Sequence, residues 1–309
     1  MWFAQNSILL SSLIVMTTAT ACLESGMHCR EHDAGCYPMD SWVLLSLLDN
    51  QRQIQQIQCP TDFIVVPHNT TVGTSGDFCA ARFEMKDVAG KATSQSGGAP
   101  WVNIDRPTAI SKCSALGSGY HLMTNAEAMT IARNLENNAT NWNSANVGIG
   151  LINMGHTDNA PAAACDGLIG NVGASCAASA GAGWDIQKRT HTLSNGEIIW
   201  DFSGNVWEWI DWTVTTDKAC PVAAFAEFTG CVTYTASMPE TGFKPSHATF
   251  DSTYGIGQYY AGNNGVGGAA LRGGDYSTGV TNAGIFALSL GQNGAAASML
   301  YGFRCTLNP

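Results

Sequence analysis

The chain has 309 residues, a formal net charge of −10 at pH 7 and only 12% charged residues. That length fits one large domain with an extension. A negative chain without a basic patch excludes a nucleic-acid binder, because phosphate contacts need clustered Lys and Arg, and the abundance of Gly, Ala, Ser, Thr and Asn suits an extracellular β-rich protein with long loops better than a cytosolic enzyme.

Residues 1–21 are apolar, lack charged side chains and end Ala19-Thr20-Ala21-Cys22, which reads as an export signal. The ending is similar to a bacterial lipobox and makes Cys22 a lipidation candidate, although no early Lys or Arg is present and Ala19 stands where Leu is usual. Plain cleavage near Ala21 is the alternative. The apolar run from Ile8 to Met16 is short against the roughly 20 residues that a membrane span needs. Of 11 cysteines, ten remain if Cys22 is lipidated or removed, enough for five bridges. No Cys-x-x-Cys occurs, so an oxidising compartment is the simpler reading than a zinc ribbon. The close spacings Cys29/Cys36, Cys165/Cys176 and Cys220/Cys231 suggest local loop clips.

Residues 22–39 form a disulfide-clipped linker in which His28 and His32 read as an exposed pair. Over 40–58, Val43, Leu47, Ile54 and Ile57 follow heptad spacing with Asn50 on the same seam. This predicts a helical stalk that assembles a homo-oligomer such as a trimer, or else a single helix packed on the domain. So few heptads are marginal for association on their own. The globular domain then spans 59–309.

Within it, Phe63 to Pro67 is predicted as a buried strand with Phe78 to Lys86 as its hairpin partner, and 91–99 as a Ser/Gly loop. Ala109, Ile110, Cys113 and Leu116 recur at helical spacing over 106–116. Thr124 and Glu127 form a capping box that opens a second helix over 125–135. The aperiodic stretch 137–182 holds His156 and Asp158, read as structural polar contacts. A hairpin over 190–200 turns at Ser194-Asn195-Gly196. Trp200, Trp207 and Trp209 follow within ten positions and must be buried. Asp201 and Glu208 flank a glycine turn whose inward carbonyls suit calcium. Alternatively, the two acids pair with Arg272 or Arg304 or hydrogen-bond to backbone.

Several motifs fall in a fixed order: Phe83-Glu84-Met85, Pro100-Trp101-Val102-Asn103, Gly119-Tyr120-His121-Leu122, Gly204-Asn205-Val206-Trp207-Glu208-Trp209, Leu271-Arg272-Gly273-Gly274 and Gly302-Phe303-Arg304-Cys305. Together they resemble the formylglycine-generating-enzyme (sulfatase-modifying factor) superfamily, a branch of the C-type-lectin-like fold. The resemblance implies an α+β domain with few helices, short twisted antiparallel sheets and much loop, here preceded by a short N-terminal helix. It implies a bridge from the first helix to the last strand, Cys113 to Cys305, which leaves Cys59 and Cys79 to clip the first hairpin. It also implies a structural Ca2+ held by the Asp201 side chain, the Gly204 and Val206 carbonyls and the Glu208 side chain. The copper-binding cysteine pair of these enzymes is missing, since Arg272-Gly273-Gly274 runs on without a cysteine until Cys305. The His-x-x-x-His-x-Glu iron motif of the related sulfoxide synthases lacks its Glu after His32. No copper or iron is expected, and no catalytic residue is assigned.

Arg272 to Phe303 has fixed ends and a changeable interior, and resembles the C-terminal variable region of retroelement-diversified proteins that share the lectin-like fold. Asp275, Tyr276, Ser277, Thr278, Ser289, Gln292, Asn293, Ser298 and Tyr301 are expected as exposed ligand contacts, residue types that paratopes favour. The expected function is an exported, surface-located and lipid-anchored protein that binds an extracellular glycan or protein. A divergent metal-dependent oxidoreductase using His156 is the enzymatic alternative, which bound metal would favour. A subunit or tip of a surface fibre is the third, which a stalk-dependent trimer would favour.

Overall fold

The computed structural model describes residues 57–157, 184–214, 224–228, 242–247, 249–262 and 268–309. Most of the 40–58 stalk, Asp158, and Cys22, Cys29, Cys36, Cys165, Cys176, Cys220 and Cys231 lie outside them. One compact unit spans Ile57–Pro309. Among the described residues it is an α+β structure, mostly sheet with two α-helices and much loop.

A four-stranded sheet joins the two ends of this unit. Strand β1 (Phe63–Val66) alternates half-buried Phe63 and Val65 with buried Ile64 and Val66, the period of a strand with one face on the core. It pairs antiparallel with β2 (Phe78–Ala81), which is buried throughout because β14 (Cys305–Leu307) covers its other edge. β14 in turn pairs with β5 (Tyr120–Leu122), giving the order β1-β2-β14-β5. Disulfides join Cys59 to Cys79 and Cys113 to Cys305, as the resemblance implied.

The strand expected over 78–86 is two strands. The chain leaves β2 after Ala81, and Met85–Val88 (β3) forms its own hairpin with β4 (Lys91–Ser94), inside the stretch read as a loop. Ala89 and Gly90 both take positive φ, 52° and 80°, in a tight turn whose amide at Gly90 donates to Asp87 Oδ1. An Ala at the first turn position carries no sequence signal for it.

Helix α1 (Arg106–Ser114) starts at Asp105, whose carboxylate accepts from the Thr108 amide at 2.8 Å. Helix α2 (Asn125–Glu136) carries the full capping box of Thr124 and Glu127. The predicted hairpin is present as β6 (Thr190–Thr192) and β7 (Ile198–Trp200). The second sheet has β8 (Trp207–Val214) and β11 (Gly268–Arg272) near its middle. Outside them run β12 (Leu288–Asn293), β13 (Tyr301–Phe303), β10 (Tyr259–Tyr260) and β9 (Phe225–Ala226), in the order β13-β8-β11-β12-β10-β9. Trp209, Ala269, Leu271 and Phe303 share one core with Ala109 and Cys113 of α1. Ile210, Ala270, Leu288 and Leu290 share the other with Ala128, Met129 and Ile131 of α2. Alternate residues of the same strands thus serve opposite helices. No helix among the described residues is long and apolar enough to cross a membrane.

Candidate functional site

The segment after β11 begins with a buried anchor. Arg272 donates to Asn125 Oδ1 (2.7 and 3.0 Å) and to the Gly242 and Phe286 carbonyls (3.2 and 3.4 Å). Burial pulls its pKa down to about 9. The segment ends on a second anchor, Arg304, also buried. Between them, Tyr276 to Phe303 contains no Asp, Glu, Lys, Arg or His.

The nine expected contacts divide. Ser277 and Asn293 are exposed, and Thr278, Gln292, Ser298 and Tyr301 are partly so. Asp275, Tyr276 and Ser289 are buried, which corrects the expectation for those three. Asp275 closes a turn, accepting from the Ser277 amide (2.7 Å) and hydroxyl (2.8 Å) while its own amide donates to Thr278 Oγ1. Tyr276 turns inward, with its amide on the Asn205 carbonyl and its ring 6.1 Å from that of His156. Ser289 lies in β12 between Leu271 and Tyr260 of the flanking strands.

The exposed residues sit on two short arms, 277–281 and 292–301. Asn293 Oδ1 accepts from the Ala295 amide, and its carbonyl from Ala296. The Ser298 carbonyl accepts from both Asn103 (2.9 Å) and Tyr301 (3.1 Å). Tyr301 packs edge-on against Trp209 at 5.3 Å, and burial, with the Asp275 charge, pushes its hydroxyl pKa up. Sequence reasoning missed Met299, 61% exposed beside Tyr301, and Val280, 43% exposed on the other arm. The charge-free run was the signal that could have found them. Half-buried Trp101 borders the arm, packed on Phe303 at 5.8 Å with Lys112 Nζ 5.1 Å from its ring.

The residues assigned to calcium are buried. Glu208 accepts from Arg304 through both oxygens, at 2.6 Å from Nη2 and 3.1 Å from Nε. Arg304 also donates to the Ala81 and Trp200 carbonyls, each at 2.8 Å. The Asp201 carboxylate accepts from Arg189 Nε. Glu84 accepts from Asn205 Nδ2 (2.5 Å) and the Val206 amide (3.3 Å), with Lys86 Nζ 3.9 Å away. Burial, helped by the Asp201 charge, pushes the Glu84 pKa up to about 8. Burial likewise raises Glu208 and lowers Lys86. Gly204 needs its positive φ of 77°, and a Cβ there would meet the His156 carbonyl oxygen at 2.6 Å. His156 itself is buried, with Nδ1 3.1 Å from Asn205 Oδ1.

Both carboxylates of the proposed calcium set are therefore engaged by guanidinium groups. For Glu208 this is the pairing set out as the alternative; for Asp201 the partner is Arg189, which the sequence reading did not name. Among the described residues, no group of three His, Cys, Asp or Glu side chains is placed to hold a metal ion. With its two carboxylates so engaged, the set as folded does not hold out its charged ligands to calcium. The cysteines at 59, 79, 113 and 305 are all in disulfides.

No family model matches the sequence, and no curated protein does. Solved structures do align with it. The Major Tropism Determinant U1 variant is 16% identical, with a TM-score of 0.39, over 81% of this chain and 53% of that one. The chain thus spans about half the length of that protein. Variable protein 1 of Treponema denticola is 14% identical with a TM-score of 0.35, over 76% of this chain and 85% of that one. PvdO from Pseudomonas aeruginosa is 14% identical with a TM-score of 0.36, over 76% and 82%.

Proposed function

We propose that the protein is an exported cell-surface ligand-binding or adhesion protein, whose C-type-lectin-like scaffold of the formylglycine-generating-enzyme type presents residues 277–281 and 292–301 to an extracellular glycan or protein. The observation that carries this reading is the contrast along one segment. Its ends, Arg272 and Arg304, are buried and hydrogen-bonded to several elements, while its interior offers exposed Ser, Thr, Asn, Gln, Met and Tyr. Side chains at such positions can change chemistry without disturbing the frame. Tyr, Ser and Asn supply flat contact area and adaptable hydrogen bonds, and Met adapts to varied apolar partners. The tie between first helix and last strand supports the lectin-like assignment. Export through 1–21, a lipid anchor at Cys22 and a homo-oligomer built through 40–58 belong to the same reading.

A face without charge binds without long-range steering, so association should be nearly independent of ionic strength. The test applies the full chain to glycan arrays and to whole bacterial cells at low and high salt. A variant carrying Asn293→Ala, Met299→Ala and Tyr301→Ala is run beside it. The parent should bind equally at both salt concentrations and the variant should not bind. Equal binding by the two proteins would place the contact elsewhere.

A further inference from the structure

We infer that Arg189 and Arg304 stand where the resemblance puts a calcium ion, so that the Trp-rich strand is braced by two guanidinium groups and holds without a divalent cation. Backbone pairing fixes both placements. In the β6–β7 hairpin, Thr190 faces Trp200, His191 faces Ile199 and Thr192 faces Ile198. The next pair outward is Arg189 and Asp201, joined by an amide-to-carbonyl bond of 2.8 Å from Asp201 to Arg189. Asp201 takes a φ of 52° there, which an Asp or Asn tolerates. On the other side, β13 runs parallel to β8 with Gly302 beside Glu208, and Arg304 follows two residues later.

Arg304 meets four oxygens between 2.6 and 3.1 Å: two from Glu208 and the carbonyls of Ala81 and Trp200. Carboxylates together with backbone carbonyls are the donors a hard cation would require, and here the flat guanidinium fork uses them. Charge points the same way. Among the described residues, the two carboxylates of the calcium set, Asp201 and Glu208, meet Arg189 and Arg304 in the buried interior. A calcium ion taking Asp201 and Glu208 would strip both arginines of their carboxylates inside the protein and add two positive charges to them.

The experiment is calcium titration of the chelator-treated full chain by calorimetry, with thermal melting in chelator and in millimolar calcium. No saturable uptake and superimposable melts are expected. Saturable uptake with a raised melting temperature would overturn the inference. The role of Arg189 is read separately. Arg189→Gln should lower the melting temperature, and adding Asp201→Asn should recover most of the loss, because it removes the stranded charge. Arg189→Gln melting like the parent would equally overturn it. Both readouts use the protein alone, so failure here leaves the ligand-binding reading untouched.

Discussion

The interior around Trp207 and the face built from 277–281 and 292–301 are opposites in charge. Glu84, Lys86, Asp201, Glu208, Arg189 and Arg304 are all buried, whereas the exposed arms carry no charged side chain. The usual distribution places charge outside. Buried ions tolerate few neighbours, so this network pins the register of β2, β7, β8 and β13 against one another. A neutral arm closed by its own turns imposes no such demand. Buried charge and exposed neutral surface thus occupy different parts of the domain.

The sharpest way to break that division is Arg304→Ala. It leaves Glu208 buried without its partner and the Ala81 and Trp200 carbonyls without their donor. Loss of one member of a buried pair costs about 3–5 kcal/mol, a large share of the stability of an ordinary domain. Urea unfolding should show it, and a loss near zero would mean the network is idle. Next comes Gly204→Ala, which combines a left-handed φ with a Cβ placed 2.6 Å from the His156 carbonyl oxygen. A cost of about 2–3 kcal/mol follows from strain of this kind, and the same unfolding curves would measure it.

A smaller effect is expected at His121, whose ring nitrogens meet the Gly119 carbonyl at 2.9 Å and Glu127 Oε1 at 2.8 Å. Two acceptors require the imidazolium form. The hydrogen bond to Glu127 raises the His121 pKa above its ordinary 6.5, against the pull of burial. For Glu127 burial works upward, but the His121 contact and the Thr124 hydrogen bonds together outweigh it and the pKa falls below 4.5. The His contribution is complete below 6.5 and is lost as pH rises through the raised value. The Glu contribution is complete above 4.5 and is lost as pH falls through the lowered one. The pair therefore supports the fold fully between about 4.5 and 6.5. His121→Gln should remove a stability difference on the order of 1 kcal/mol between pH 6 and pH 9. A parent whose unfolding free energy is flat over that range would contradict this. Smallest of all should be Met299→Ala, which is expected to change stability by less than about 0.5 kcal/mol.

Much of the frame was legible in the sequence because local chemistry specified it. Thr124 and Glu127 could cap only one helix, and Ser194-Asn195-Gly196 centred the β6–β7 hairpin. The Arg189–Asp201 pair was legible by the same logic, since that turn places 189 opposite 201, yet the acids were matched only to arginines far along the chain. The β3–β4 hairpin was not legible, because its Ala89-Gly90 turn carries no turn signature and its second strand, Lys91–Ser94, runs straight into a Ser/Gly stretch. Exposure within 275–301 was read from residue type. Asp275, Tyr276 and Ser289 are polar for internal reasons, closing a turn, meeting His156 and filling a strand between two neighbours. Burial of that kind depends on which elements pair, and composition does not encode it.

Strand β14 lies between β2 and β5, so the four-stranded sheet has no middle until Cys305–Leu307 is available. In chain order those residues follow every other described strand. Without β14, β2 lacks one edge, β5 lacks its partner, and Cys113 lacks the cysteine it is joined to. The closing of this sheet therefore depends on contacts between residues far apart along the chain, the kind of pairing that carries a high loop-closure cost.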